Sequence, residues 1–263
     1  MNEETEKFEG HGNNWGAVFG NENFDVTKTI TEIMNAEVFT VKSKNDYTSV
    51  ISHNAPIRGL ALIKKEEDKN VVWSGYPFLQ ISNPIEVSIE KIEEWSNGVE
   101  AIISGSVGLV SVSFFDTLYF LNKENYKIGQ KYVFNIGAIG LYFEKRKEKD
   151  LILEPTEGPM KGEKLYTHKM TAFFPREKYG GEFEFVCPFV SFLGETTAFG
   201  EKFNIFPCWV RNRDTDTSAF TVPIYVNTKI SNDTFKTGDS ISGVGWLQGY
   251  LADSFDDTIA LEN

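Results

Sequence analysis

Short runs in which apolar and polar residues alternate with a period of two recur along the chain. Val110, Val112 and Phe114 alternate with Ser111 and Ser113, Phe183 and Phe185 with Glu182 and Glu184, and Val222, Ile224 and Val226 share one side of a further run. A strand turns successive side chains to opposite faces, so each run predicts a strand with one buried and one wetter face. Residues 83–95 combine the helix-start residues Asn83, Pro84 and Glu86 with the alternation of Ile85, Val87 and Ile89. The Asn97-Gly98 pair that follows, leading into Val99, Ala101 and Ile103, is a tight-turn signal and resolves the stretch into two strands. Helical periodicity is confined to residues 26–36, where Ile30, Ile33 and Met34 form a stripe and Thr29 with Glu32 suits a capping box. The pattern is that of an all-β chain with one short helix.

Residues 144–164 concentrate charge, Pro and Gly between two aromatic-rich regions, which is the composition of an exposed boundary. This divides the chain into an extended N-terminal arm, 1–24, with Trp15 and Phe19 as anchors; a first β-domain, 25–144; a linker, 145–164; a second β-domain, 165–252; and an acidic tail, 253–263. Two short matches link the halves. Pro77-Phe78-Leu79 and Pro188-Phe189-Val190 are 111 residues apart, and Lys127-Ile128-Gly129-Gln130-Lys131-Tyr132 and Lys236-Thr237-Gly238-Asp239-Ser240-Ile241 are 109 apart. Agreement in order and spacing predicts two related β-domains. The run Gly238-Asp239-Ser240-Ile241-Ser242-Gly243-Val244-Gly245 is similar to the turn and curved strand of oligonucleotide/oligosaccharide-binding (OB) barrels. That resemblance implies a pair of small five-stranded barrels, with a sandwich as the other arrangement, and no particular binding residues.

Composition narrows the function classes. A formal charge of −12, from 26 Lys+Arg against 38 Asp+Glu, is spread as −7 over residues 1–131 (12 basic, 19 acidic) and −5 over the remainder (14 and 19). Phosphate binding gathers cations into a stripe, and the one dense basic run, Lys145-Arg146-Lys147, is interrupted by Glu144, Glu148 and Asp150, so nucleic acid is an unfavoured partner. No apolar run is long enough to span a membrane, and the acidic N-terminus lacks the pattern of a secretory signal, so the expectation is a cytoplasmic protein without a membrane partner. Two cysteines, Cys187 and Cys208, are read as reduced core thiols.

Candidate chemistry is sparse. His11, His53 and His168 are too scattered for an imidazole metal site, and a Cys187 or Cys208 nucleophile with His168 as base would need a stabilising cation near the thiol. Glu182 and Glu184 share a strand face as paired carboxylates of a glycosidase can, but alternate with Phe as an ordinary solvent face does. Asp214-Thr215-Asp216-Thr217-Ser218 lacks the glycine and the terminal glutamate of a calcium loop, and Gly243–Gly249 lies in a strand rather than at a strand-to-helix turn. Asn232-Asp233-Thr234 is a bare glycosylation sequon. No catalytic residue, cofactor or metal is therefore expected.

Trp246, Gln248 and Tyr250 on one strand face, with Trp15 on the arm, are the candidate partner or ligand contacts. The expected function is that of a non-catalytic acidic β-protein that binds a protein partner, a basic one by charge complementarity, in an inhibitory, immunity-like or assembly role. The alternatives are a β-barrel pair binding single-stranded nucleic acid or glycan, and a self-assembling structural subunit of a phage or other large assembly.

Overall fold

A computed structural model of the chain describes residues 10–20, 24–37, 39–52, 56–67, 69–146, 152–153, 165–166, 171–176, 180–211, 218–231 and 233–254. The described chain is mostly strand. Two helices, α1 (Gly12–Phe19) and α2 (Val26–Met34), lead into an antiparallel meander of β1 (Phe39–Lys44), β2 (Tyr47–Ser52), β3 (Ile57–Glu66) and β4 (Lys69–Leu79). Then come β5 (Pro84–Glu94), β6 (Ala101–Val107), β7 (Val110–Asp116), the single-turn α3 (Tyr119–Asn122) and the long β8 (Lys131–Lys145). A two-residue ladder joins β9 (Ile152–Leu153) to β10 (Leu165–Tyr166). The chain closes with β11 (Ala172–Pro175), β12 (Glu182–Pro188), β13 (Gly194–Ala198), β14 (Glu201–Arg211), β15 (Ser218–Asn227) and β16 (Ser240–Leu251).

Helix α2 starts at Asp25, whose carboxylate accepts from the Lys28 amide at 3.0 Å, so the cap lies earlier than the Thr29/Glu32 box. Ile30 and Ile33 lie directly over Gly75 and Gly59 of the meander, where a Cβ would fall inside their side chains; the missing side chains are what let a helix lie this close to the sheet. Within the segment expected to be an extended arm, Gly12–Phe19 form α1, so the described residues hold three helices rather than one. Gly and Asn residues hide it from periodicity, but Asn14, Trp15, Ala17 and Val18 make one buried face against β4, β8 and β15. Tertiary burial, not propensity, forms this helix.

The ten-stranded sheet runs β11-β12-β16-β7-β6-β5-β8-β15-β14-β13, and an additional β16–β8 ladder links two of its members. That ladder closes a circuit of five: β16-β7-β6-β5-β8 and back to β16, parallel only between β7 and β16. The second half shares part of this plan but closes no second circuit among the described residues, since β12 pairs with β11 and β16 alone. β16 pairs with β12 as β8 pairs with β5, and β8 runs parallel to β15 (Ile139 opposite Tyr225) as β16 runs parallel to β7 (Gln248 opposite Phe115). Ser88 faces Lys131 in one half, and Pro188 faces Ser240 in the other. Aligned at the strand starts, 131 matches 240 at the 109-residue offset that relates the two Lys-x-Gly turns, and the parallel pairs Ala138–Ile139 and Gln248–Gly249 match at 110. The Pro77 match is not part of this relation, since the counterpart of Pro188 is Ser88 and Pro77 lies in the meander.

Strands β8 and β16 each belong to both halves. β8 pairs with β5 near its start and with β15 further along, whereas β16 pairs with β12 early and with β7 late. The interior follows this plan. One cluster, with Phe114, Phe134, Phe143, Phe183, Phe185 and Phe206, fills the two halves. The other, with Trp15, Ile33, Leu60, Phe78, Phe115 and Trp246, seals the helices and meander onto them.

Candidate functional site

A polar cluster in the described interior forms around Glu100, which is 2% exposed. The Asn97-Gly98 turn directs it inward: Asn97 Oδ1 accepts from the Val99 and Glu100 amides at 3.1 and 3.2 Å, and Asn97 Nδ2 donates to Glu100 Oε2. Glu100 Oε1 accepts from His11 Nε2 at 2.9 Å and from Ser74 Oγ at 2.7 Å. Burial pushes the Glu100 carboxyl up, but the hydrogen bond and charge of His11, with the bonds from Ser74 and Asn97, bring it below its ordinary value. The imidazole sits among Tyr76, Trp95, Phe115 and Trp246, with ring centroids 4.7, 5.0, 5.0 and 5.6 Å away.

Two clefts open on either side of this segment. One, of about 270 Å³, is lined by His11, Trp15, Ile30, Trp73 and Ser74. The other, of about 930 Å³, lies between the glycine face of α1 and Tyr142, Arg176 and Glu182. Ser74 and His11 line the first cleft and both bond Glu100, yet in the wrong order for nucleophilic relay. Ser74 donates to Glu100 rather than to His11, so the imidazole is not placed to take the serine proton. No family model, characterised protein or solved structure is significantly similar to this chain.

The four candidate contacts are all interior side chains. Trp15, Trp246, Gln248 and Tyr250 are 1 to 3% exposed. Their contact reading needs a surface that these side chains do not present. Trp246, Gln248 and Tyr250 do share a face of β16, but the end of β4 and the segment after it cover that face. Gln248 accepts from the Leu79 amide at 3.1 Å and donates to the Pro77 carbonyl at 2.9 Å. The Tyr250 hydroxyl donates to the Ile81 carbonyl at 2.7 Å. Trp15 Nε1 donates to the Gly75 carbonyl at 3.0 Å, and Asn227 Nδ2 to the Val18 carbonyl at 2.7 Å, pinning α1 to β4 and β15. These groups satisfy buried backbone atoms, the ordinary role of polar tips in a core.

The remaining candidates sort as follows. Arg176 pairs with Glu182 at 2.8 Å and with Glu184 at 3.4 Å, which accounts for the two carboxylates as an ion-pair cluster; burial raises Glu182 against the pull of Arg176. Cys187 and Cys208 are free, buried and hydrogen-bonded to each other, which with burial holds the Cys208 thiol well above its usual range. That environment opposes a thiolate nucleophile. Among the described residues no group of three or more His, Cys, Asp or Glu could hold a metal ion, and no helix is long and apolar enough to cross a membrane. His53, His168, Asp214–Thr217 and Asn232 lie outside the described residues.

One buried acid escaped the sequence reading. Asp116 ends β7 opposite Gly249 and accepts from Tyr126 Oη at 2.6 Å and from the Leu118 amide at 3.0 Å. Burial raises its carboxyl to about 7, the two hydrogen bonds restraining the rise.

Proposed function

We propose that the chain is a non-catalytic binding protein whose partner is a protein, engaged through the meander and α2. The observation that carries this reading is the distribution of exposed large apolar side chains. Val26 and Met34 on α2, Phe39 and Val41 on β1, and Val71, Val72 and Trp73 on β4 make up half of the fourteen among the described residues. Val26, Val72 and Trp73 line one cleft beside Ile30, and exposed apolar residues grouped in this way favour a protein interface over an ordinary solvated surface. Val41 lies in a cross-sheet row with Val50, Ala61 and Gly75, the row over which Ile30 packs, so it shares the α2 side. The charge of −12 suits steering towards a basic partner, in an inhibitory, immunity-like or assembly role.

We read the two registers as a pair of small barrels of OB type exchanging β8 and β16, with 25–144 and 165–252 as the two β-units flanked by the arm, linker and tail. Support comes from the five-strand circuit with its one parallel pair and from the correspondence of the halves at offsets of 109 and 110 residues. On such a barrel, single-strand binding uses aromatics on the second and third strands. Here the wetter face of β6 and β7 carries Ser104, Ser106, Ser111 and Ser113, with Ser104 and Ser113 hydroxyls 3.0 Å apart. That favours a protein partner over stacked bases.

The test is affinity capture from the source lysate with identification of retained proteins, repeated with Phe39→Glu and Val41→Glu. The expected result is a stoichiometric basic protein, lost in both variants at unchanged Tm. A retained second copy of the chain would instead favour the assembly reading. Capture indifferent to both substitutions, or no retained protein, would sink the proposal.

A further inference from the structure

Four aromatic rings and one buried carboxylate enclose a guest that the chain itself supplies. The hosts are Tyr76 on β4, Phe115 on β7, Trp246 on β16, and Trp95 and Glu100 at the turn between β5 and β6; the guest is the imidazole of His11, just ahead of α1. Trp95 stacks on it at 25°, Tyr76 and Trp246 lie tilted at 47° and 54°, and Phe115 meets it edge-on at 71°. The hosts also contact one another, with Phe115 5.0 Å from Tyr76 and 5.3 Å from both Trp95 and Trp246.

Aromatic faces present negative quadrupole and a carboxylate presents full charge, so together they select a cation; a flat ring stacked on Trp95 selects a planar one. Asn14 Nδ2 lies 3.4 Å from His11 Nδ1, and an amide turned over would present its oxygen there instead, accepting from a second N–H. Access exists, because His11 and Ser74 line the 270 Å³ cleft. We propose that this box is a binding site for a planar nitrogen cation, an imidazolium or guanidinium group, filled in cis by His11 and open to the same group from another molecule when that side chain leaves. Its access cleft is also lined by Val26, Val72 and Trp73 of the surface assigned to the protein partner, but its test reads cation binding to the purified chain and is independent of that reading.

His11→Ala in the full chain vacates the box. Thermal unfolding is followed with imidazole, with methylguanidinium, and with cyclopentanol as a neutral ring of similar size. Either cation should raise the Tm of His11→Ala by several degrees in a concentration-dependent way. It should leave the wild type unmoved, and the rescue should vanish when Glu100→Gln is added. If His11→Ala is unfolded in plain buffer, recovery of native tryptophan fluorescence on adding either cation reads the same binding. Independently, His11→Arg should be more stable than His11→Leu, the reverse of the order an ordinary apolar pocket imposes. Equal rescue by cyclopentanol, equal shifts in wild type and variant, absence of any rescue, or His11→Leu matching His11→Arg would each overturn the proposal.

Discussion

Replacing Asp116 by Asn should flatten a specific part of the pH–stability profile. The Asp116 side chain is almost wholly buried, is hydrogen-bonded by Tyr126 and Leu118, and titrates at about 7 in the folded chain against an ordinary value of 3.8. Between these values the folded state keeps a proton that the unfolded state has released, so stability falls as pH rises. The contribution is complete below 3.8 and gone above about 7. A gap of roughly three pH units at about 1.36 kcal/mol each bounds it near 4 kcal/mol, of which roughly 2.5 kcal/mol falls between pH 5 and pH 8. Asparagine has the same shape and no proton to exchange. Urea unfolding of both proteins at pH 5 and pH 8, at constant slope, gives the double difference. Glu182, raised by burial, and Glu100, Glu124 and Asp239, all lowered by their partners, titrate in both proteins and cancel to first order. Wild type should lose roughly 2.5 kcal/mol more than Asp116→Asn over this interval. Parallel profiles would refute the assignment of the buried proton to Asp116.

Three further outcomes follow from the packing. Trp15→Ala removes a side chain 1% exposed and its bond to Gly75, and should lower stability by about 3–5 kcal/mol in urea unfolding. Gln248→Leu strips partners from the Leu79 amide and the Pro77 carbonyl, a loss on the order of 2 kcal/mol, while Gln248→Glu keeps only the acceptor and should fall at least as far. Cys187 and Cys208 should resist a thiol reagent in native buffer and both react at once in denaturant; rapid native labelling of either would contradict their burial.

Local pattern and long-range geometry separate clearly here. Strands such as β7, β12 and β15 are legible because Val112 and Phe114, Phe183 and Phe185, and Val222 and Ile224 alternate along a half-buried surface. The shared face of Trp246, Gln248 and Tyr250 is equally legible, since a period of two sets it. Their burial is not, because it depends on a segment 169 residues away in the chain. Helix α1 is invisible to periodicity because its glycines and asparagines are poor helix formers, and Trp15 reports its docking only once β4 is in place. The His11–Glu100 site has a similar history. Its members are 89 residues apart, Glu100 is one of 38 acidic residues, and the only local hint is the Asn97-Gly98 turn that aims it.

The shared strands β8 and β16 make the two halves mutual templates. Each half lends its last long strand to the other's ladder, and the one closed circuit, β16-β7-β6-β5-β8, takes one of its strands from the second half. A nick between β8 and β12 would therefore leave two fragments clasped through an eleven-pair ladder, from Ile241–Lys145 to Leu251–Phe134, rather than two free domains. Separately expressed fragments should be incompetent alone and regain the native fold on mixing, with a rate that depends on concentration.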